Sequence, residues 1–553
     1  MKGQYIKKLL KVSEEECSNC GDKLVKTHSR RHLQDLTEDY FIDSEIKRCT
    51  NKSCSCYNIR IYPDIYKSLI YPKSDYSMSV YATIGYERLV ESKTVSEIQR
   101  HMVRNYSNLS GLRERSIENI YKRVQVCLRE RQEDVEALKE RLIKKKIDKL
   151  CLSMDGIAPE RGNAILYVVR EVQSQEILFV RYLEHSDTEH LVSDLLKPLQ
   201  QFLDKLSIPV GGWICDKQTG LIQAIQSVFS EPIHLCQSHF LKAMGKPVQQ
   251  ADSELAKELK KKLRPLKQIE KDLESEQTQE VSSLTEQQIS SLSTLCMLPR
   301  TWIPRSISVN YELRGVQMYE QFTDAVKIIK KMEKKGTHPL LSRLKEMYQN
   351  SVAGKKDTYQ DLKKAHLFLE QLTDILYGKK QKHPKQNQTI RFSEQHRKDH
   401  TAAQIQQQVE QLILSFKEDT KKRSTLCRTF IKNFETVYEN WKSNLFTCYE
   451  YDFLPNDNNA LESNHNKVKR RIRKITGYKS TARALLIYGE ELIWSQAFFD
   501  KESEDFLEAL SQTDFEVVAN KQQKLKEQQR KRGMKISIIN QTKEMLKKAY
   551  NDW

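Results

Sequence analysis

The chain has 553 residues, which is long enough for three or four domains and excludes a single small module. Its 92 Lys and Arg residues against 74 Asp and Glu give a formal net charge of +18 and a pI of about 9.1, which suits a polyanion such as nucleic acid or an anionic membrane surface. No apolar run approaches the roughly 20 residues of a membrane-spanning helix, and the N-terminus lacks the apolar core of a signal peptide. We therefore expect an intracellular protein, in which the 12 cysteines favour metal sites over disulfides.

Residues 1–62 carry two close pairs of cysteines, which predict a zinc ribbon with one structural Zn²⁺. The pairs lie about thirty residues apart, a spacing at which four thiolates can clamp one ion. The predicted ligands are Cys17, Cys20, Cys49 and Cys54. The second pair is wider than a CxxC knuckle, so one of its members can be replaced by Cys56, His28 or His32. A set of buried thiols without metal is the alternative.

Residues 63–148 change to a helical and basic pattern. We predict a helix from about Thr94, a turn through NYSNLSG, and a second helix that opens at Arg115 or Ser116, with Thr94 and Ser116 as candidate N-caps. This pattern indicates a DNA-binding helix-turn-helix, although a helical linker domain has the same pattern. The side chains off the apolar stripe that can meet DNA are Arg115, Asn119, Lys122 and Arg123.

Residues 149–248 have the short apolar runs of an α/β core. The runs KLCLSMDGIA, AILYVVREV and EILFVRYLE predict an antiparallel meander of three strands. A helix over about 188–206, a strand in VGGWICDK, a helix over 219–229 and a fifth strand in PIHLC follow. This order places Asp155 and Asp216 at the ends of the first and fourth strands, so their carboxylates converge if those strands are neighbours.

The second half of the chain is mostly helical. Residues 249–446 predict a helical insertion, broken only at KKQKHPKQNQTIRFSEQHRKDH, and residues 447–515 return to the core. This last part contains NDNNALESNHNKVKRRIRKITGYKS, in which Glu462 stands between asparagines and a basic helix, and the helix TARALLIYGEELIWSQAFF. Residues 516–553 form a Lys/Gln/Arg-rich tail, which we expect to be solvent-exposed, with a composition that permits disorder.

Three acids are candidates for one metal site. Phosphodiester cleavage by two divalent ions needs several carboxylates around a pair of ions about 4 Å apart. Asp155, Asp216 and Glu462 can supply them, which predicts two Mg²⁺ or Mn²⁺ ions in the site. The cations that follow the glutamate can hold a DNA backbone beside it, and they are Lys467, Lys469, Arg470, Arg471, Arg473 and Lys474.

Three stretches, MDGI, CDKQTGLIQAIQSVFSEPIHLCQSHFLKAMGK and NNALESNHNKVKRRIRKITGYKS, resemble the catalytic blocks of DDE transposases with an RNase H-like fold. The resemblance is closest to the Mutator-like group and its bacterial insertion-sequence relatives, and it covers roughly 150–244 and 452–494. It implies an RNase H-like core interrupted by a helical insertion, with Asp155, Asp216 and Glu462 as the catalytic triad. The C-x-x-H that follows the second acid in that group matches Cys236 and His239, for which either a supporting role at the active site or plain packing is open.

The resemblance implies a transposase that binds terminal inverted repeats, cuts the 3′ ends and joins them to target DNA. Its partners would be double-stranded DNA and at least one more copy of the chain, because synapsis joins two ends, and it would be DNA-associated in the cytoplasm or nucleoid if prokaryotic. A transposase-derived sequence-specific DNA-binding protein and an RNase H-like nuclease are the alternatives. The acids that compete with the triad are Glu184, Asp187, Glu189 and Asp457.

Overall fold

The computed structural model describes residues 5–158, 165–278, 284–299, 313–382, 389–391, 393–420 and 424–552. The chain folds as two compact units. Unit 1 consists of Met1–Trp213, Gln218–Glu231 and Asn459–Trp553, and unit 2 consists of Ile214–Lys217 and Pro232–Asn458. Within the described ranges, no helix combines the length and the apolar character that crossing a lipid bilayer requires.

Within the described residues, the strands fall into three sheets. In chain order they are β1 Ile6–Leu10, β2 Val25–Gln34, β3 Asp39–Arg48, β4 Arg60–Ile61, β5 Leu150–Ile157, β6 Ile165–Glu171, β7 Ile177–Leu183, β8 Val210–Cys215, β9 Ile233–Leu235, β10 Gln381–Lys382 and β11 Thr389–Ile390.

Helices make up most of the rest of the described chain. In chain order they are α1 Tyr66–Leu69, α2 Met78–Leu89, α3 Val95–Asn105, α4 Glu114–Glu133, α5 Val135–Lys144, α6 Thr188–His190, α7 Lys197–Leu206, α8 Thr219–Val228, α9 Gln237–Lys261, α10 Leu266–Thr278, α11 Glu286–Met297, α12 Arg314–Glu333, α13 Pro339–Val352, α14 Lys356–Tyr377, α15 Ser393–Asp399, α16 Ala402–Thr420, α17 Thr425–Leu445, α18 Asn459–Thr476, α19 Ala482–Trp494, α20 Ser503–Ser511 and α21 Phe515–Asp552.

The N-terminal part of unit 1 is a small sheet in the order β1-β3-β2, with β4 also paired to β3. β1 runs parallel to β3, and β2 forms an antiparallel hairpin with it. Lys47 on β3 is fully buried, and its ammonium donates to the carbonyls of Val12 and Glu14 and to the Glu15 carboxylate. These bonds tie the segment after β1 to the sheet directly before the first cysteine pair.

In the helical part of unit 1, α3 and α4 begin close to their predicted positions. Thr94 caps α3 in a capping box with Glu97, as predicted. The second N-cap prediction is wrong, because α4 begins at Glu114, one residue before Arg115, with Arg113 as its N-cap and Ser116 inside its first turn. Whether this helix pair binds DNA stays a prediction.

The α/β part of unit 1 contains the predicted meander. β5 pairs antiparallel with β6, and β6 pairs antiparallel with β7. β8 lies on the other side of β5, and the Leu150 amide donates to the Pro209 carbonyl at 2.8 Å. The first and fourth strands are therefore neighbours, as the prediction required. The basic helix α18 packs on β5 and buries Leu461, Val468 and Ile472.

Unit 2 contains the end of β8, β9 and the helices from α9 to α17. α9 is a 25-residue helix that runs across the predicted boundary at 248/249, so the start of the helical unit lies earlier than the composition indicated. The core of unit 2 includes the stacked rings of Phe368 on α14 and Phe434 on α17, with centroids 4.4 Å apart. The predicted break, of which 383–388 and 392 lie outside the described residues, holds the antiparallel pair β10–β11 and the helix α15.

The C-terminal tail of unit 1 differs from its prediction. It is the helix α21, and its first half packs against α4 and α19 through the buried side chains of Val518 and Leu525. Lys521 and Arg532 of this helix reach Glu133 and Glu490 at 2.8 and 3.4 Å. The tail is therefore held by packing and by ion pairs that its own composition does not reveal.

Candidate active site and metal sites

The four predicted zinc ligands lie together at one end of the N-terminal sheet. Their sulfur atoms all lie within 4.8 Å of one another, with 3.8 Å between Cys17 and Cys54 and 3.7 Å between Cys20 and Cys49. Tetrahedral zinc with Zn–S bonds of about 2.3 Å requires sulfur separations of about 3.8 Å. The spacing of the thiols therefore matches the requirement of a four-thiolate zinc ion.

Backbone and side-chain N–H groups point at these sulfur atoms. The amide of Asn19 and the backbone N–H of Cys56 donate to the Cys54 sulfur at 3.2 and 3.3 Å. The backbone N–H groups of Asn19 and Cys20 lower the pKa of Cys17 to about 6. Such bonds favour thiolates, the form that binds metal.

The three alternative zinc ligands predicted from the sequence lie either away from the four-cysteine cluster or at its edge. His28 on β2 binds the Asp43 carboxylate at 2.8 Å, and the His32 ring packs on Phe41 with centroids 5.1 Å apart. Cys56 packs beside the cluster and contributes its backbone N–H to it. The group of four that the structure brings together is the predicted one.

Asp155 lies near the end of β5 and faces the basic helix α18. One carboxylate oxygen lies 3.2 Å from Nδ1 of His465, and the other accepts the backbone N–H of Gly156 at 2.7 Å. His465 is buried, with 6% of its surface exposed. Glu462 is half-buried three residues earlier on the same helix, and residues three apart share one helix face. The helix of Glu462 is thus joined to the strand of Asp155 through His465.

His465 was missed as a functional residue in the sequence. The available signal was its spacing, since the stretch ESNH places an imidazole one turn after the predicted catalytic glutamate. Periodicity could not assign the residue, because its carboxylate partner lies on a strand about three hundred residues away.

In unit 2, Asp216, Cys236 and His239 form a second cluster whose ligand atoms lie within 4.8 Å of one another. The Asp216 carboxylate lies 2.7 Å from Nδ1 of His239. Asp216 follows the end of β8, Cys236 is the N-cap of α9, and His239 lies in the first turn of that helix. The Cys236 amide donates to the Cys215 carbonyl at 3.0 Å, which holds the end of β9 beside the end of β8.

The asparagines before α18 are part of this region of unit 2. The backbone carbonyl of Asn456 accepts the backbone N–H of Gln237 at 2.9 Å. The side-chain amide of Asn456 donates to the side-chain oxygen of Gln237 at 3.0 Å. The backbone N–H of Asn458 donates to the Cys236 sulfur at 3.3 Å. Between them, Asp457 bonds to Tyr377, whose pKa is raised well above its ordinary value by burial and by that carboxylate. The asparagine-rich stretch therefore fixes the loop that leads to α18.

The predicted triad is divided between the two units. Asp155 and Glu462 belong to unit 1, and Asp216 belongs to unit 2. The convergence of all three carboxylates stays a prediction. Of the competing acids, Asp187 is the N-cap of α6 and also binds Nδ1 of its own helix residue His190 at 2.8 Å, which gives it a local structural role.

The cations of α18 differ in their surroundings. Lys467 and Arg470 are exposed and Lys469 is half-buried. Arg471 donates to the carbonyls of Val90 and Phe499 and lies 4.0 Å from the centre of the Phe499 ring, so its donors are used inside unit 1. Arg473 donates to the backbone carbonyl of Lys479, and Lys474 donates to the backbone carbonyl of Glu91.

The predicted DNA-facing residues of α4 are also unequal. Arg115 and Asn119 are exposed. Lys122 pairs with Glu118 one turn earlier at 3.5 Å, while Arg123 donates to the hydroxyl of Tyr81 at 2.8 Å. Arg115 and Asn119 are therefore better placed than Lys122 and Arg123 to contact a ligand from solution.

No family model and no curated protein matches the chain. Among solved structures, the chain is similar to the Drosophila P element transposase strand transfer complex at 10% identity and a TM-score of 0.30. That comparison covers 78% of this chain and 93% of the other. A likeness this weak leaves fold and function to be argued from the residues themselves.

Proposed function

We propose that the protein is a DNA transposase of the DDE type, with an RNase H-like core and with Asp155, Asp216 and Glu462 as its metal-binding acids. The observation that carries this proposal is the packing of α18 on β5, joined by the 3.2 Å contact between His465 and Asp155. It gives two of the three acids a common setting inside unit 1. The strand order, in which β8 is the neighbour of β5, supports it further.

The donor set suits the proposed cofactor. Carboxylate oxygens are the ligands that Mg²⁺ and Mn²⁺ prefer in proteins. Two such ions, when bound, activate the attacking oxygen and stabilise the leaving one in phosphodiester transfer. Asp155 and Glu462 would hold them, and His465 would keep the Asp155 carboxylate in one orientation.

The remaining parts of the chain take DNA-binding roles in this proposal. The exposed cations Lys467 and Arg470 on α18 would hold phosphates near the reacting bond. The four-cysteine cluster would hold one Zn²⁺ and stabilise an N-terminal module, because structural zinc couples metal binding to folding. The exposed Arg115 and Asn119 of α4 would contact the terminal repeats. Joining two ends would require at least a dimer.

The test is metal-dependent cleavage of DNA that carries the sequences flanking the gene. We expect Asp155→Asn, Asp216→Asn and Glu462→Gln each to abolish cleavage and strand transfer in Mg²⁺ or Mn²⁺ while affinity for the same DNA changes less than about twofold. Asp204→Asn, at an exposed acid of α7, is the matched control and should keep wild-type cleavage.

Each contrary result has a definite meaning. A triad variant with near wild-type cleavage removes that residue from the site. Specific binding by a wild-type protein that never cuts would replace the proposal with a transposase-derived DNA-binding protein, and cleavage without any dependence on terminal sequence would favour an RNase H-like nuclease.

A further inference from the structure

We propose that Asp216, Cys236 and His239 form a binding site for one zinc-type transition-metal ion in unit 2, separate from the four-cysteine cluster of unit 1. The proposal rests on the residues of this site alone and does not depend on DNA cleavage.

The geometry is close to that of a metal site. One carboxylate oxygen, one thiol and one imidazole nitrogen lie within 4.8 Å of one another, so a single ion can reach all three. Zn–O and Zn–N bonds of about 2.0–2.1 Å at a tetrahedral angle place the two light ligand atoms about 3.3 Å apart. The distance between the Asp216 oxygen and Nδ1 of His239 is 2.7 Å, so binding of the ion would separate the two atoms by about 0.6 Å. Both side chains are partly exposed, at 30% and 26%, and have room for this shift.

The ligand types select the ion. A thiolate and an imidazole prefer Zn²⁺, Co²⁺ and similar ions, whereas Mg²⁺ prefers oxygen ligands. Three protein ligands leave the fourth tetrahedral position to water or to an oxygen of a bound molecule, which is the composition of reactive rather than purely structural zinc sites. The partial exposure of Asp216 and His239 is consistent with access to that position.

The surroundings hold the ligands in place. The backbone N–H of Asn458 donates to the Cys236 sulfur at 3.3 Å, as outer hydrogen bonds do for metal-bound thiolates. Cys236 and His239 are spaced C-x-x-H at the start of α9, whose positive end favours anionic ligands. Gln237, which lies between them, is fixed by Asn456. The competing explanation is a hydrogen-bonded Asp–His pair with a packed thiol, which would bind no metal.

The test uses the full chain and counts zinc by elemental analysis after dialysis against buffer with limiting chelator. We expect two zinc ions per wild-type chain, and one in Cys236→Ser and in His239→Ala. Cys296→Ser, at another buried thiol of unit 2, is the control and should keep two. Cobalt added to wild-type chains that retain a single zinc should produce a thiolate-to-cobalt absorption band, which Cys236→Ser abolishes and Cys296→Ser keeps.

The proposal is overturned if Cys236→Ser and His239→Ala each retain as much zinc as the wild-type chain. If Cys236→Ser fails to fold by circular dichroism, His239→Ala decides, because the histidine is partly exposed and its loss should weaken zinc binding at least about tenfold. These measurements need no DNA, so their failure leaves the proposed transposase activity to its own test.

Discussion

Arg129 on α4 is expected to be essential for the stability of unit 1. Its guanidinium, 12% exposed, lies 2.8 Å from Glu133 and 3.0 Å from both Glu490 and Glu491 on α19. Burial raises the pKa of Glu491 although the positive charge of Arg129 lowers it. In Arg129→Met, Lys521 still pairs with Glu133, and Glu490 keeps a cation on α21, but Glu491 loses the cation that the described contacts give it.

Removing one partner of a buried ion pair costs about 3–5 kcal/mol, because the remaining charge stays desolvated. We expect the lower end, about 3 kcal/mol, since two of the three acids keep a cation. In the variant the folded-state pKa of Glu491 lies above its unfolded value, so its protonated form is favoured in the folded chain. Stability is then present at low pH and lost as pH rises through the folded pKa, so the cost of the substitution should shrink as the pH is lowered from neutral toward that pKa.

The assay is urea unfolding followed at several pH values, with the transition of unit 1 identified by proteolysis because a two-unit chain need not unfold in one step. Arg131→Met is the control, since Arg131 lies on the same helix and its pair with Asp134 is more exposed. That change should cost at most about 1 kcal/mol. Arg129→Met with a cost equal to the control, or with no dependence on pH, would refute the reasoning.

Three further outcomes are expected. His465→Ala should lower the cleavage rate at least about tenfold without changing DNA affinity, and His465→Asn should recover part of it, because an amide can still donate to Asp155; equal losses in both would contradict a positioning role. Neutralising the exposed Lys467 and Arg470 together should weaken binding to cognate and scrambled duplexes alike and lower the salt slope by about 0.9 per lost phosphate contact. An unchanged slope with altered thermal stability would assign these cations to the fold. Chelating zinc should unfold the N-terminal module, as judged by protease sensitivity near β2 and β3, and a module that resists would contradict structural zinc.

The strands of the core could be predicted because their signals are local. The run around β5 is apolar and bounded by turn residues, and its pairing with β6 follows from the short connection. Thr94 with Glu97 is likewise a complete helix start within four residues. The cysteine spacing predicted the cluster of four thiols for the same reason.

What the sequence did not reveal depends on partners far along the chain. α21 has the composition of an exposed tail, yet Lys521 meets Glu133 and Leu525 is buried in the core of unit 1. The role proposed for His465 follows from its contact with the Asp155 carboxylate, which the sequence does not show. Arg471 looks like its basic neighbours in sequence, and its bonds to the carbonyls of Val90, 381 residues earlier, and of Phe499 distinguish it.

Asp216 stands in both proposed ligand sets, and the chemistry of a carboxylate makes the two compatible. One of its oxygens lies beside His239, in the set that includes the soft sulfur of Cys236. A carboxylate has two oxygens and several lone pairs, so one oxygen can serve a zinc-type ion while the other remains for a hard ion such as Mg²⁺. The C-x-x-H spacing that follows this acid would then do more than pack the start of α9. It would fix which oxygen of Asp216 faces the zinc-type ion and which oxygen is left for a hard ion.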